Sequence, residues 1–191
     1  SINQLLIGSI TLICVWTNLD SLFEMIPNGS IYAQGVYVVL FIGLGKLVDM
    51  SMGVNYAIIQ NSLYYKFNFY SMFSLGFLGI ATNFILIPRL GIEGAAIASL
   101  ISLTLVNITR ALFIKSKLGL QPFNKKTLVG LVVIVLSLLF AELLPSVENK
   151  FFDIIYRSLL TLGTFLLLVL WLKPSEDINT FAAALIKRFT K

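Results

Sequence analysis

The sequence predicts an all-α fold: a polytopic membrane helical bundle of about six transmembrane helices, followed by an interfacial amphipathic helix at the C-terminus. Three observations predict it. Six apolar stretches, centred near Val15, Asp49, Leu78, Leu103, Leu136 and Leu166, approach the roughly 20 residues that a helix needs to cross a bilayer core. Hydrophobic residues make up 58% of the chain and charged residues 12%, against about 45–50% and 25% in globular proteins. A soluble chain of 191 residues cannot bury that much apolar surface, because its surface-to-volume ratio leaves too much of it wet. The third observation is that Lys and Arg fall mostly on one side of the predicted spans.

The first span runs from about Leu5 to Leu22 and meets the turn-rich Pro27-Asn28-Gly29-Ser30. The second covers about Gly35 to Ile59, and a polar, aromatic link from Asn61 to Asn68 follows it. The third, about Phe69 to Ile87, is expected to stop at Pro88, which lacks the N–H that continues a helix. Arg89-Leu90-Gly91 alone separate it from the fourth, about Ile92 to Ile114. A basic loop over 115–126 leads to the fifth span, about Thr127 to Leu144, and the sixth runs from about Phe151 to Leu172. Short links make consecutive spans antiparallel neighbours. Residues 1–173 thus read as one six-helix bundle.

Residues 174–191 read as a cytoplasmic tail helix. Ser175 is a candidate cap, with Glu176 and Asp177 favourable in the first turn. Ile178, Phe181, Ala182, Leu185 and Phe189 share one face, and Lys187, Arg188 and Lys191 near the end suit a helix lying on headgroups. Orientation follows from counting basic residues. With the N-terminus inside, Lys66, Arg110, Lys115, Lys117, Lys125, Lys126, Lys173 and the three tail cations are cytoplasmic, while Arg89, Lys150 and Arg157 are outside. Both termini of this segment then face the cytoplasm. The chain opens on Ser1 with no basic, apolar and small-residue leader ahead of the first span, so the expectation is the C-terminal part of a longer protein.

Several function classes fall away. The net charge of +5 is explained by topology rather than by nucleic acid. With no histidine and Cys14 as the only cysteine, disulfides within the chain, His- or Cys-based metal sites and histidine acid–base chemistry are excluded. No cofactor and no catalytic residue is predicted.

Lys46 and Asp49 stand out near the expected midplane. Three residues apart, they share a helix face and can pair. Charges at that depth are costly and usually face a bundle interior or a wet cavity. Gln60 and Gly53 continue the stripe and Tyr56 lies close to it. Two readings stand: a cavity wall that meets an anionic or sugar-bearing substrate, or a neutralised pair that pins two helices. Asp20 and Glu24, with Thr17 and Ser21, form a second stripe. They are a possible cation or proton site, or equally solvated residues at a helix end.

Asn55, Asn83 and Asn107 are expected to bond to other helices, and Arg110 to snorkel to the cytoplasmic surface. Gly91, Gly94 and Ala98 lie in a small-residue segment that favours close helix packing.

Taken in order, Leu22-Phe23-Glu24-Met25-Ile26-Pro27, Gly35-Val36-Tyr37-Val38-Val39-Leu40, Lys46-Leu47-Val48-Asp49, Gly53-Val54-Asn55, Asn61-Ser62, Tyr64-Tyr65 and Leu86-Ile87-Pro88 through Gly94-Ala95-Ala96-Ile97-Ala98 are a pattern. It resembles the C-terminal half of bacterial polysaccharide exporters, the O-antigen flippase-like branch of the multidrug/oligosaccharidyl-lipid/polysaccharide flippase superfamily. The resemblance implies a parent of about fourteen helices in two pseudo-symmetric bundles, the N-terminal one supplied by the rest of the parent chain. It also implies alternating-access transfer of a polyprenyl-pyrophosphate-linked oligosaccharide across the bacterial inner membrane, with membrane lipids as the other partner. Lys46 is the expected cation for the pyrophosphate, tuned by Asp49. The competing readings are a drug or cation antiporter of the same superfamily, and a membrane-embedded glycosyl polymerase or ligase.

Overall fold

The computed structural model describes residues 2–120, 125–175 and 180. Those residues are helical throughout, with no strand among them: α1 (Ile2–Thr17), α2 (Leu19–Met25), α3 (Gly29–Ala33), α4 (Val36–Gln60), α5 (Lys66–Leu118), α6 (Lys125–Glu142) and α7 (Lys150–Leu172). Two helices, α5 and α7, are each long and apolar enough to cross a membrane. The number rises to four if two bent pairs count as one span each: α1 with α2, bent by 52°, and the two parts of α4, bent by 46°. Most of the expected tail helix, including Lys187, Arg188 and Lys191, lies outside the described residues, as does the side chain of Lys125.

The helices divide into two compact units, one of residues 31–120 and the other of residues 2–30 and 125–175. In the first unit, α5 is not one rod. A straight helix of 53 residues would be about 80 Å long, yet Phe67 stacks on Phe113 with ring centroids 3.8 Å apart. Arg110 meets Ser71, Thr82 meets Ser102, and Gly94 lies against the Leu86 backbone. These partners are arranged symmetrically about residue 90, so α5 folds back on itself as an antiparallel hairpin.

The pivot is Gly91, at φ 59° and ψ −136°, a conformation that any residue with a side chain enters only at a cost of about 1–3 kcal/mol. Pro88 does not end the first arm as expected. The helix passes through it, because a proline costs one hydrogen bond but does not reverse the chain, and the break falls at Gly91. The second arm ends at Gly119 in the left-handed conformation, a common helix stop.

Close approach of the arms depends on small residues. A Cβ on Gly94 would sit 2.3 Å from the Leu86 carbonyl oxygen, and Ala98 is fully buried. Gly94 and Ala98 thus lie where the arms meet, while Gly91 makes the turn and has no close neighbour. Gly45 of α4 sits against Leu100 and Leu103 and completes a three-rod unit.

The second unit packs α1, α6 and α7 around Leu6, Val133, Phe165 and Val169. Asn149 caps α7 by accepting from the Phe152 N–H at 3.2 Å. Ser175, the expected tail cap, donates its hydroxyl to Asn3 Oδ1.

Polarity in the first unit is the reverse of a water-soluble fold. Asn68, Ser71, Ser102, Asn107 and Arg110 are buried, while Phe69, Phe73, Phe77, Ile80 and Phe84 form an exposed stripe along one face of the first arm. Apolar surface outside and polar groups inside are what a bilayer selects.

Candidate functional site

The first unit holds a polar cluster whose centre is Arg110. Only 8% of this residue is exposed. Its Nε–H donates to Ser71 Oγ at 3.1 Å, and the Ser71 hydroxyl donates to the Asn68 carbonyl at 2.9 Å. Asn68 Nδ2 then donates to the Tyr56 carbonyl at 2.9 Å and to Gln60 Oε1 at 3.1 Å. The Arg110 guanidinium also lies over the Tyr56 ring, 5.4 Å from its centroid, where the ring quadrupole attracts a cation.

Hairpin geometry explains the assembly. Folding at Gly91 brings Ser71 of the first arm beside Arg110 of the second, and α4 supplies Tyr56 and Gln60 from the other side. Three turns of helix, far apart in sequence, meet because each presents a polar residue to the same interior. Burial of a charged group is tolerated only where such bonds replace water.

Asp49 accepts from Asn107 Nδ2 at 3.1 Å. Arg110 lies one turn beyond Asn107, and no direct ion pair joins it to Asp49. The expected pairing of Lys46 with Asp49 does not form. Lys46 is exposed and makes no ion pair among the described residues. Sharing a helix face permits a pair, but the neighbouring arm offers Asp49 an amide that does not have to leave the surface.

Arg110 likewise does not snorkel to the surface. Its partners Ser71 and Tyr56 hold it inside. Of the three asparagines expected to reach other helices, only Asn107 does so. Asn83 Nδ2 donates to Gly79 on its own arm at 2.8 Å, and Asn55 Nδ2 is buried without a partner.

Tyr56 and Gln60, two of the four cavity candidates, do line a cavity. Its volume is about 530 Å³, and Lys66 and Asn68 line it with them. Lys46 and Asp49 are not part of its wall. A second, smaller cavity of about 180 Å³ reaches Ser71 from the side of Phe67, Val106 and Thr109.

In the second unit, the two carboxylates of the expected cation or proton site have different surroundings. Glu24 forms an ion pair with Lys150 at 3.0 Å, while Asp20 is exposed. No group of three or more metal-ligating side chains occurs among the described residues.

The buried carboxylate of this unit is Asp153, which sequence reasoning passed over. It is 0% exposed and accepts from Ser21 Oγ and from the Val147 N–H, each at 2.7 Å. Arg157 lies one turn on, 3.7 Å away. Its two terminal nitrogens donate to the Thr17 carbonyl at 2.8 Å and to the Leu144 carbonyl at 2.7 Å. The break between α1 and α2 frees the Thr17 carbonyl, and Arg157 satisfies it. The i,i+4 spacing of Asp153 and Arg157 was the available signal. These groups are a structural clasp, since every partner lies in the chain itself.

Compared with family models, with characterised proteins and with solved structures, the chain has no match. The chemistry of the two clusters therefore carries the functional reading.

Proposed function

We propose that the chain is a six-span, C-terminal segment of a membrane transporter whose whole length moves a polyprenyl-pyrophosphate-linked oligosaccharide from the cytoplasmic to the outer leaflet of a bacterial inner membrane. The spans of this reading are α1 with α2, α4, the two arms of α5, α6, and α7. Both ends of the segment are cytoplasmic, as the distribution of Lys and Arg favours. The sequence pattern described above supports the polysaccharide-exporter assignment over an antiporter or a glycosyl polymerase.

The observation that carries the reading is the buried Arg110. A guanidinium inside an apolar unit, bonded through one nitrogen to a hydroxyl and joined to no carboxylate by an ion pair among the described residues, is suited to meet an anionic group. Arg presents a planar fork of donors that matches phosphate oxygens. In this account Arg110 takes the place first assigned to Lys46. Asp49, held by Asn107, tempers its charge so that the substrate is released as well as bound. The N-terminal bundle of the parent chain contributes the facing wall, and rocking of the two bundles exposes the site alternately.

The test compares three variants in the full-length protein, scoring surface polysaccharide against membrane abundance. Arg110→Gln is expected to reduce export by about tenfold or more, the equivalent of one lost charge-assisted contact. Arg110→Lys, which keeps the charge, retains part of the export, and Lys46→Ala exports normally. Normal export by Arg110→Gln, or loss of export by Lys46→Ala at normal abundance, would remove Arg110 from the role.

A further inference from the structure

The cavity at the start of α5 has a chemistry of its own. Lys66 lies on its wall, exposed and without an ion pair among the described residues, and no acidic side chain lines it. Asn68 Nδ2 engages Gln60 Oε1. That bond fixes the amide of Gln60 with its Nε2 unpartnered, a second donor on the wall that Lys66 lines. Tyr65 adds a phenol at the same wall. Asn68 itself is buried, and its Oδ1 accepts no hydrogen bond. Asn68 thus holds the wall from behind, and the three donors of Lys66, Gln60 and Tyr65 are a set for an anion.

Beside Tyr56 and Tyr70, the rest of the wall is the exposed apolar pair Phe69 and Met72, in the first turns of a helix long and apolar enough to cross a membrane. A soluble sugar phosphate has no use for that wall. An amphiphile does, because its chains continue along the exposed face of Phe69 and Phe73 while its head enters the cavity. The volume of about 530 Å³ lies within the range of ligand sites. Basic pockets at helix ends near the cytoplasmic surface are where anionic headgroups bind.

We propose that this cavity binds the glycerol-phosphate headgroup of an anionic phospholipid. The phosphate meets Lys66 Nζ, Gln60 Nε2 and the Tyr65 hydroxyl. The proposal rests on α5 crossing a membrane and is independent of what, if anything, the protein transports.

The test uses the full chain purified in detergent and exchanged into nanodiscs of equal parts phosphatidylglycerol and phosphatidylcholine. Lipids retained after delipidation are counted by native mass spectrometry. The expected result is selective retention of phosphatidylglycerol, reduced about fivefold by Lys66→Ala and kept by Lys66→Arg. Gln60→Ala weakens it independently, and an unchanged thermal midpoint accompanies both exposed-site variants. Equal retention of the two lipids by the wild type, or undiminished selectivity in Lys66→Ala and Gln60→Ala, would overturn the proposal. Displacement of the lipid by free glycerol phosphate alone would assign the site to a soluble polyol phosphate and overturn its lipid part.

Discussion

Replacing Arg157 with Ala is expected to lower stability by about 3–5 kcal/mol, the cost of removing one partner from a buried ion pair. Three losses act together. Asp153, fully buried, loses its cation. The Thr17 carbonyl at the α1–α2 break and the Leu144 carbonyl at the end of α6 lose their donors. Lysine is a poor substitute, because one ammonium cannot reach two carbonyls and a carboxylate with the geometry of a fork. Asp153→Asn is expected to be milder, since an amide still accepts through its oxygen from Ser21 or from Val147 while removing the buried charge. Unfolding of the detergent-solubilised protein, followed by circular dichroism, checks the order: wild type, then Asp153→Asn, then Arg157→Ala. A wild-type midpoint for Arg157→Ala would mean that the clasp contributes nothing.

The second large effect is expected at Gly94. A Cβ there falls 2.3 Å from the Leu86 carbonyl oxygen and 2.7 Å from its carbonyl carbon, so both obstacles are backbone and neither can rotate away. Gly94→Ala forces the arms of α5 apart at a cost of about 1–3 kcal/mol, the usual range for overpacking. Gly94→Leu has no rotamer that avoids the first arm and opens the hairpin. A disulfide probe reads the opening directly: cysteines placed at Thr82 and Ser102, whose hydroxyls are 3.1 Å apart, cross-link in the wild-type background and fail to do so with Gly94→Leu. Equal cross-linking in both backgrounds would show that the arms tolerate the side chain.

Features set by local sequence were legible before the structure. Arg89-Leu90-Gly91 between two apolar runs announced a tight reversal, and Gly94 and Ala98 announced the close approach that makes it possible. Of the stripe read from Lys46 to Gln60, Gln60 and the neighbouring Tyr56 line a cavity, and Lys46 and Asp49 do not. What spacing cannot reveal is which distant residue a polar group will meet. Lys46 and Asp49 share a face, yet Asp49 is satisfied by Asn107, 58 residues away. Arg110 looked like an interfacial cation because it lies near the end of an apolar run. Its burial depends on Ser71, which only the hairpin brings into reach. Asp153 was read past for a related reason: the i,i+4 spacing to Arg157 hints at a pair, but its partners Ser21 and Val147 come from other segments.

The measurement that tests the central claim most directly is the leaflet distribution of lipid-linked oligosaccharide in cells lacking the protein. The account predicts that the polyprenyl-pyrophosphate-linked repeat unit accumulates on the cytoplasmic face, protected from an externally added glycosidase, while surface polysaccharide falls. Re-expression of the full-length protein restores both, and the Arg110→Gln form does not. Unchanged surface polysaccharide with no protected intermediate would contradict it.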